Sequence, residues 1–169
     1  MGRLAAFIIL LILGTSGTLA QQDSTRQFSE MKITGLSVLI AYNGFGNQTM
    51  ELGIARNTFG MIGHHPYADA QFISCELTRN NGWIIGPKIG AWVGGGAAGM
   101  ALGINGIYYT NFNEYSVRVR PELGVGFGKW KAVYGYNIPL NNSDMVGVNK
   151  HNFTFARLIL FNVLIEEFK

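Results

Sequence analysis

Seven charged residues are spaced so that they could meet: Glu51, Glu76, Lys88, Arg118, Arg120, Glu122 and Lys131. Each lies on the polar side of a stretch in which polar and apolar residues alternate, the spacing that puts neighbouring side chains on opposite faces of a strand. Three carboxylates and four cations on such faces are poor material for the dry core of a soluble protein. They suit a narrow polar interior, where mixed signs neutralise one another and spare the several kcal/mol that each unpaired buried charge would cost. The expectation is an ionic network plugging a lumen, with a structural role.

Other candidate chemistry is thinner. Gly94-Gly95-Gly96-Ala97-Ala98-Gly99 has the GxGxxG spacing, with Glu114 about 20 residues further on, as a dinucleotide site requires. That fingerprint works by opening a helix whose N-terminus holds the pyrophosphate. Here Met100-Ala101-Leu102-Gly103-Ile104-Asn105-Gly106 follows, glycine-broken and strand-like, so a glycine hairpin turn is expected and no cofactor. His64 and His65, with Asp69 nearby, suggest a metal, but adjacent residues of an extended chain point in opposite directions, and a closed zinc site lacks further ligands. A hydrolytic triad could use His151 with Ser143, Asp144 or Glu76. The chain has no G-x-S-x-G elbow, nor a His-x-Ser pattern like that of lipid A deacylase barrels. No catalytic, cofactor or metal residue is expected, and no enzymatic activity.

The elements that must position the charges are strands. Glycine, 23 of 169 residues, falls mostly between apolar residues at alternate positions, where a helix would lose about 1 kcal/mol per glycine relative to alanine. Eight β segments are predicted, at Ile33–Tyr42, Thr49–Phe59, Ala70–Thr78, Trp83–Val93, Ala98–Thr110, Glu114–Phe127, Trp130–Ile138 and Asn152–Val163. Arg79-Asn80-Asn81-Gly82, Gly94-Gly95-Gly96, Asn111-Phe112-Asn113 and Gly128-Lys129 are hairpin-sized connections, so each neighbouring pair can run antiparallel.

The sixth segment shows the two faces best. Tyr115, Val117, Val119, Pro121, Leu123, Val125 and Phe127 share one side; Ser116, Arg118, Arg120, Glu122, Gly124 and Gly126 share the other. A soluble barrel hides its apolar face and a membrane barrel turns it outward, so the charged side predicts an apolar exterior that meets lipid. Trp83, Tyr108, Tyr109, Tyr115, Trp130, Tyr134 and Tyr136 lie towards segment ends, where a membrane barrel crosses the headgroup levels.

Before this region stands an export signal. Arg3 supplies the positive charge, Leu4 to Leu13 an apolar run too short to span a bilayer, and Thr18-Leu19-Ala20 a cleavage site. The organisation expected is a signal peptide over 1–20, a polar tail over 21–32, a barrel over 33–163 and a short tail over 164–169. Cys75 is the single cysteine, which excludes an intramolecular disulfide; the absence of a cysteine after the apolar run argues against a lipoprotein. The net charge of +3 comes from scattered Lys and Arg without the basic stripe of a nucleic-acid binder.

The signal peptide, the eight alternating segments, and Arg120-Pro121-Glu122-Leu123-Gly124 followed by Tyr134-Gly135-Tyr136-Asn137 together resemble small eight-stranded outer-membrane barrels. The resemblance is to the transmembrane domain of outer-membrane protein A and to barrels of Bacteroidetes-type bacteria. It implies an antiparallel up-and-down barrel in a bacterial outer membrane, termini in the periplasm and no cofactor. It also implies a structural, adhesive or partner-binding role, with outer-membrane lipid and an envelope protein as partners.

Three features depart from that pattern: the end Glu166-Glu167-Phe168-Lys169, the placement of Arg157 on the lipid side with Phe153, Phe155, Ile159 and Phe161, and a connection over Gly60–Asp69 longer than a tight periplasmic turn. The polar segment Pro139–Lys150 is expected at the cell exterior, where, with Asn43–Gln48, it would carry any ligand or partner contact. The competing reading is a secreted lipocalin-like barrel with a small apolar ligand inside, which requires the Leu/Val/Tyr face inward and Arg118, Arg120 and Glu122 in water.

Overall fold

The computed structural model describes residues 31–62 and 64–168; the expected signal peptide and most of the expected polar tail lie outside them. Every regular element among the described residues is a strand. The long ones are β1 (Met31–Gly44), β2 (Thr49–Ile62), β3 (His65–Arg79), β4 (Trp83–Gly95), β5 (Met100–Thr110), β6 (Tyr115–Phe127) and β7 (Trp130–Tyr136). After a two-residue stub, β8 (Ile138–Pro139), comes β9 (His151–Phe168). All pairings are antiparallel, in the order β5-β4-β3-β2-β1-β9-β7-β6, and β5 pairs with β6 to close the ring.

The register gives the tilt. A lap that leaves β1 at Tyr42 passes through Phe155, Ala132, Val125, Met100, Gly95, Tyr67 and Gly60, and returns to β1 at Lys32. That offset of ten residues over eight long strands corresponds to a strand tilt of about 40°. The ring it defines is wide enough for side chains and too narrow for an open channel.

Turn chemistry explains the hairpins. Asn81 and Gly82 both have positive φ between Arg79 and Trp83, which pair. Asn111 caps its own turn, its side-chain oxygen accepting from the backbone N–H of Asn113 at 3.0 Å and of Glu114 at 2.9 Å, as turn asparagines do. The long connection expected over Gly60–Asp69 does not exist. Ile62 pairs with His65 and Thr58 with Asp69, so β2 and β3 continue almost to the turn. Met61, Pro66 and Tyr67 belong to the ladder, and the polar residues there gave no alternation to follow.

Other boundaries also move. Met31 and Lys32, expected in the tail, begin β1; Ala98 lies in a turn; and Leu164–Phe168, expected as a tail, extend β9. β9 outruns its neighbour: its pairing with β7 ends at Arg157, opposite Trp130, and its later residues pair only with β1, across register shifts at Thr34/Gly35 and Leu36/Ser37. Arg157 faces outward, with its guanidinium 4.5 Å from the centre of the Trp130 ring and next to the Gly128-Lys129 turn. It therefore sits beside the β6–β7 turn, stacked on an aromatic ring.

The two faces are distinct along the wall, although Arg56 and Gln71, register partners on β2 and β3, are polar and also face outward. One hydrogen-bonded row runs Ile159, Val38, Ile54, Ile73, Ile89, Gly106, Val119, Ile138. It takes its residues from β9, from β1 to β6 and from the stub β8, and all of them face outward. Ile73 is 67% exposed. Arg118 and Arg120, by contrast, are 0% exposed, and Glu122 is also buried. This is the reverse of the orientation that a soluble barrel around an apolar ligand requires.

Candidate functional site

The interior is layered. At the end near the β2–β3 and β4–β5 turns, Leu39, Ala55, Ala68, Ala70, Phe72, Trp92 and Leu158 form an apolar layer. The charged residues sit above it. At the opposite end Ile84, Ile107, Tyr109, Met145 and Val148 form a second apolar cluster.

The ionic layer starts from an unfavourable juxtaposition. Glu51 on β2 and Glu76 on β3 are register partners facing inward, and like charges directly opposite repel. Lys88 on β4 resolves this, its Nζ 2.9 Å from Glu51 Oε2 and 3.1 Å from Glu76 Oε1. Ser74 donates to Glu51 Oε1 at 2.6 Å. Arg120 crosses the lumen from β6 and grips Glu76 with both forks, Nη1 to Oε1 at 2.7 Å and Nη2 to Oε2 at 3.0 Å, the strong bidentate geometry of a charge-assisted pair. Its Nε donates to Asn137 Oδ1 at 2.8 Å, and Tyr109 donates to Glu76 Oε2 at 2.6 Å. Asn43 donates to Glu76 Oε1 at 3.5 Å and accepts from Thr154.

Glu122 and Lys131 form a separate pair at 2.6 Å. The Lys131 and Lys88 ammonium groups both approach the Phe72 ring, 5.5 and 5.4 Å from its centre, within cation–π range. Inward glycines make the room. A Cβ on Gly135 would lie 2.8 Å from Arg120 Cδ, and one on Gly86 would lie 2.8 Å from the Tyr109 ring.

All seven residues singled out in the sequence are buried inside the barrel. Glu51, Glu76, Lys88 and Arg120 share one network; Glu122 and Lys131 pair beside it; Arg118 joins neither. Tyr109 is a correction. Expected among the interfacial aromatics, it points inward, and its parity with Asn105 and Ile107 on the same strand was the available signal. Asn43, Ser74, Asn137 and Thr154 were missed because neutral polar residues carry no charge pattern to follow.

The segment between the stub β8 and β9 folds back over the mouth. Met145 is buried against Ile84, Ile107 and Tyr109. Ser116 Oγ lies 3.0 Å from the carbonyls of Asn141 and Asn142. Asn149 accepts from Asn47 N–H at 3.0 Å and donates to the Asn47 carbonyl at 2.7 Å. This cap ties β6 to the β1–β2 turn and closes the lumen at that end.

The fold separates several of the remaining candidates. Glu76 is inside, whereas His151 lies outside with its Nδ1 2.6 Å from the Tyr134 hydroxyl, so those two members of the suggested triad are on opposite faces. Gly94 and Gly95 end β4, Gly96–Gly99 turn the chain, and β5 follows where a nucleotide site needs a helix. Among the described residues no three His, Cys, Asp or Glu side chains gather as metal ligands.

The fold and interior thus define a class: a closed eight-stranded antiparallel barrel with a charged interior, a largely apolar exterior and one capped end. Comparison with protein-family models, with curated proteins and with solved structures gives no match.

Proposed function

We propose that this chain is a small β-barrel of a bacterial outer membrane, exported by its N-terminal signal, with a structural or partner-binding role in the cell envelope and no enzymatic activity. The observation that carries the reading is the outward row Ile159–Val38–Ile54–Ile73–Ile89–Gly106–Val119–Ile138. An apolar face that winds round the molecule through every long strand, interrupted at Arg56 and Gln71, has no aqueous partner large enough to cover it, since exposed patches on soluble monomers rarely exceed a few hundred Å². Hydrocarbon covers it on all sides at once. Buried ion pairs inside the same wall fit a lumen that needs plugging and carries no solute.

Outer-membrane lipid is then the first partner. A protein partner would meet the capped end, where Phe45 and Phe112 are exposed at turn tips with φ of 96° and 72°, backbone conformations unusual for a bulky residue. The turns at the other end carry small residues such as Ala97, Ala98 and Gly128.

The test is to express the full chain with its signal in a Gram-negative host, fractionate the envelope, and run the membrane fraction on a gel with and without boiling. Recovery in the outer membrane with a heat-modifiable band supports the reading. Release as a soluble periplasmic protein overturns it.

A further inference from the structure

The interior charges do not balance. Glu51, Glu76 and Glu122 are matched by Lys88, Arg120 and Lys131 through contacts of 2.6 to 3.1 Å. Arg118 is the fourth cation, and it is 0% exposed. Its Nε donates to Ser116 Oγ at 3.1 Å and its Nη2 to the Ser143 carbonyl at 3.4 Å, both neutral acceptors, while Nη1 has no acceptor among the described residues. A guanidinium keeps its proton in any protein environment, so Arg118 cannot escape burial by becoming neutral. One positive charge is enclosed without a counter-charge.

We propose that Arg118 Nη1 anchors a small-anion site between the ionic layer and the cap. The ligand class is a monovalent anion of halide size. One excess charge is cancelled by one negative charge, and a divalent phosphate would recreate the imbalance with opposite sign. The site is built. Ser116, two residues along the same face, holds the guanidinium from one side, and the cap residue Ser143 holds it from another. Arg120, the next inward residue of β6, adds positive potential from below.

Two carboxylates lie near the cap. Glu114 is engaged by the side-chain amides of Asn111 and Asn142. Asp144, adjacent to Ser143, is exposed and is the internal rival for Arg118. The proposal rests on the closed interior and not on the membrane reading, so the envelope fractionation can fail without touching it.

The test uses bromide. The purified full-length mature barrel is crystallised from sodium bromide, and its thermal unfolding is followed in sodium bromide against sodium gluconate of equal ionic strength, for the wild type, Arg118→Gln and Asp144→Asn. The expected result is an anomalous bromide peak within hydrogen-bond distance of Arg118 Nη1, with a bromide-dependent rise in Tm for the wild type and Asp144→Asn that is lost in Arg118→Gln. If Arg118→Gln does not fold, the wild-type peak decides. No peak at Arg118, peaks at surface lysines alone, the Asp144 carboxylate against Nη1, or a Tm rise that survives in Arg118→Gln overturns the site.

Discussion

Arg120 on β6 and Glu76 on β3 meet across the full width of the barrel, two nitrogens on two oxygens at 2.7 and 3.0 Å. Neither strand is the other's neighbour in the ring, so this pair is a strut through the lumen that backbone pairing cannot replace. Arg120→Leu leaves Glu76 with Lys88, which Glu51 also claims, as its one cation beside the neutral donors Tyr109 and Asn43, and the expected loss is about 3–5 kcal/mol, the usual cost of breaking a buried pair. Glu76→Leu with Arg120→Leu removes one charge of each sign and leaves Glu51 with Lys88. The double variant is expected to recover more than half of that loss. Urea unfolding followed by the folded-to-unfolded gel shift measures both. Additive losses in the double variant would show that the strut carries no coupling.

Ile73 lies at the centre of the outward belt and is 67% exposed. In water, a substitution there would change stability by about 0.5 kcal/mol or less. In a bilayer, Ile73→Arg places a charge near the midplane at a cost of about 2–4 kcal/mol. The expectation is that Ile73→Arg lowers unfolding free energy in lipid vesicles by that amount, while Arg79→Lys, at the end of the same strand, leaves it unchanged. Equal, negligible effects would speak for an aqueous exterior.

These two residue sets also show what the sequence could reveal. The period-two pattern was enough to place Arg118, Arg120 and Glu122 on one side of β6 and Val117, Val119 and Leu123 on the other, because a strand offers only two faces. The ring closure follows less directly. It depends on register, which turn residues set, and around residues 60–69 the turn carried no recognisable Asn-Gly or Gly-Gly signal, so two strands were read as too short. The pairings inside the lumen were not legible at all. Nothing local in the sequence says that Arg120 chooses Glu76, 44 residues away, over Glu122, two positions along its own strand, or that Arg118 is left without a carboxylate. Those choices come from the tilt, which slides opposite strands past one another by a distance that only the closed ring defines.

Gly135 is inward on β7, directly beneath the Arg120 stem, and a Cβ there would lie 2.8 Å from Arg120 Cδ and 3.0 Å from its Cγ. A glycine in a strand costs conformational entropy, so Gly135→Ala would gain stability if the space were free. The arginine stem is flexible, but its head is fixed at three points by Asn137 and Glu76. Gly135→Val is therefore expected to cost about 1–3 kcal/mol through overpacking, and Gly135→Val combined with Arg120→Leu is expected to cost less than the sum of the two. A double-mutant cycle by urea titration reads the difference.

Met145 is the cap residue buried among Ile84, Ile107 and Tyr109, with Val148 half-buried beside it. The backbone of the cap is otherwise tied by part-buried hydrogen bonds through Asn47, Ser116 and Asn149, each worth about 1 kcal/mol. Removing the Met145 side chain forfeits an apolar contact of about 2–5 kcal/mol if the site does not collapse, and that contact holds the cap more than it holds the wall. Met145→Ala is thus expected to raise the rate of proteolytic cleavage between residues 140 and 150 several-fold, with the heat-modifiable gel shift of the barrel retained. Loss of the gel shift at the same protease dose would mean that the cap and the barrel unfold as one unit, and that the apolar cluster beneath the cap supports the strands directly.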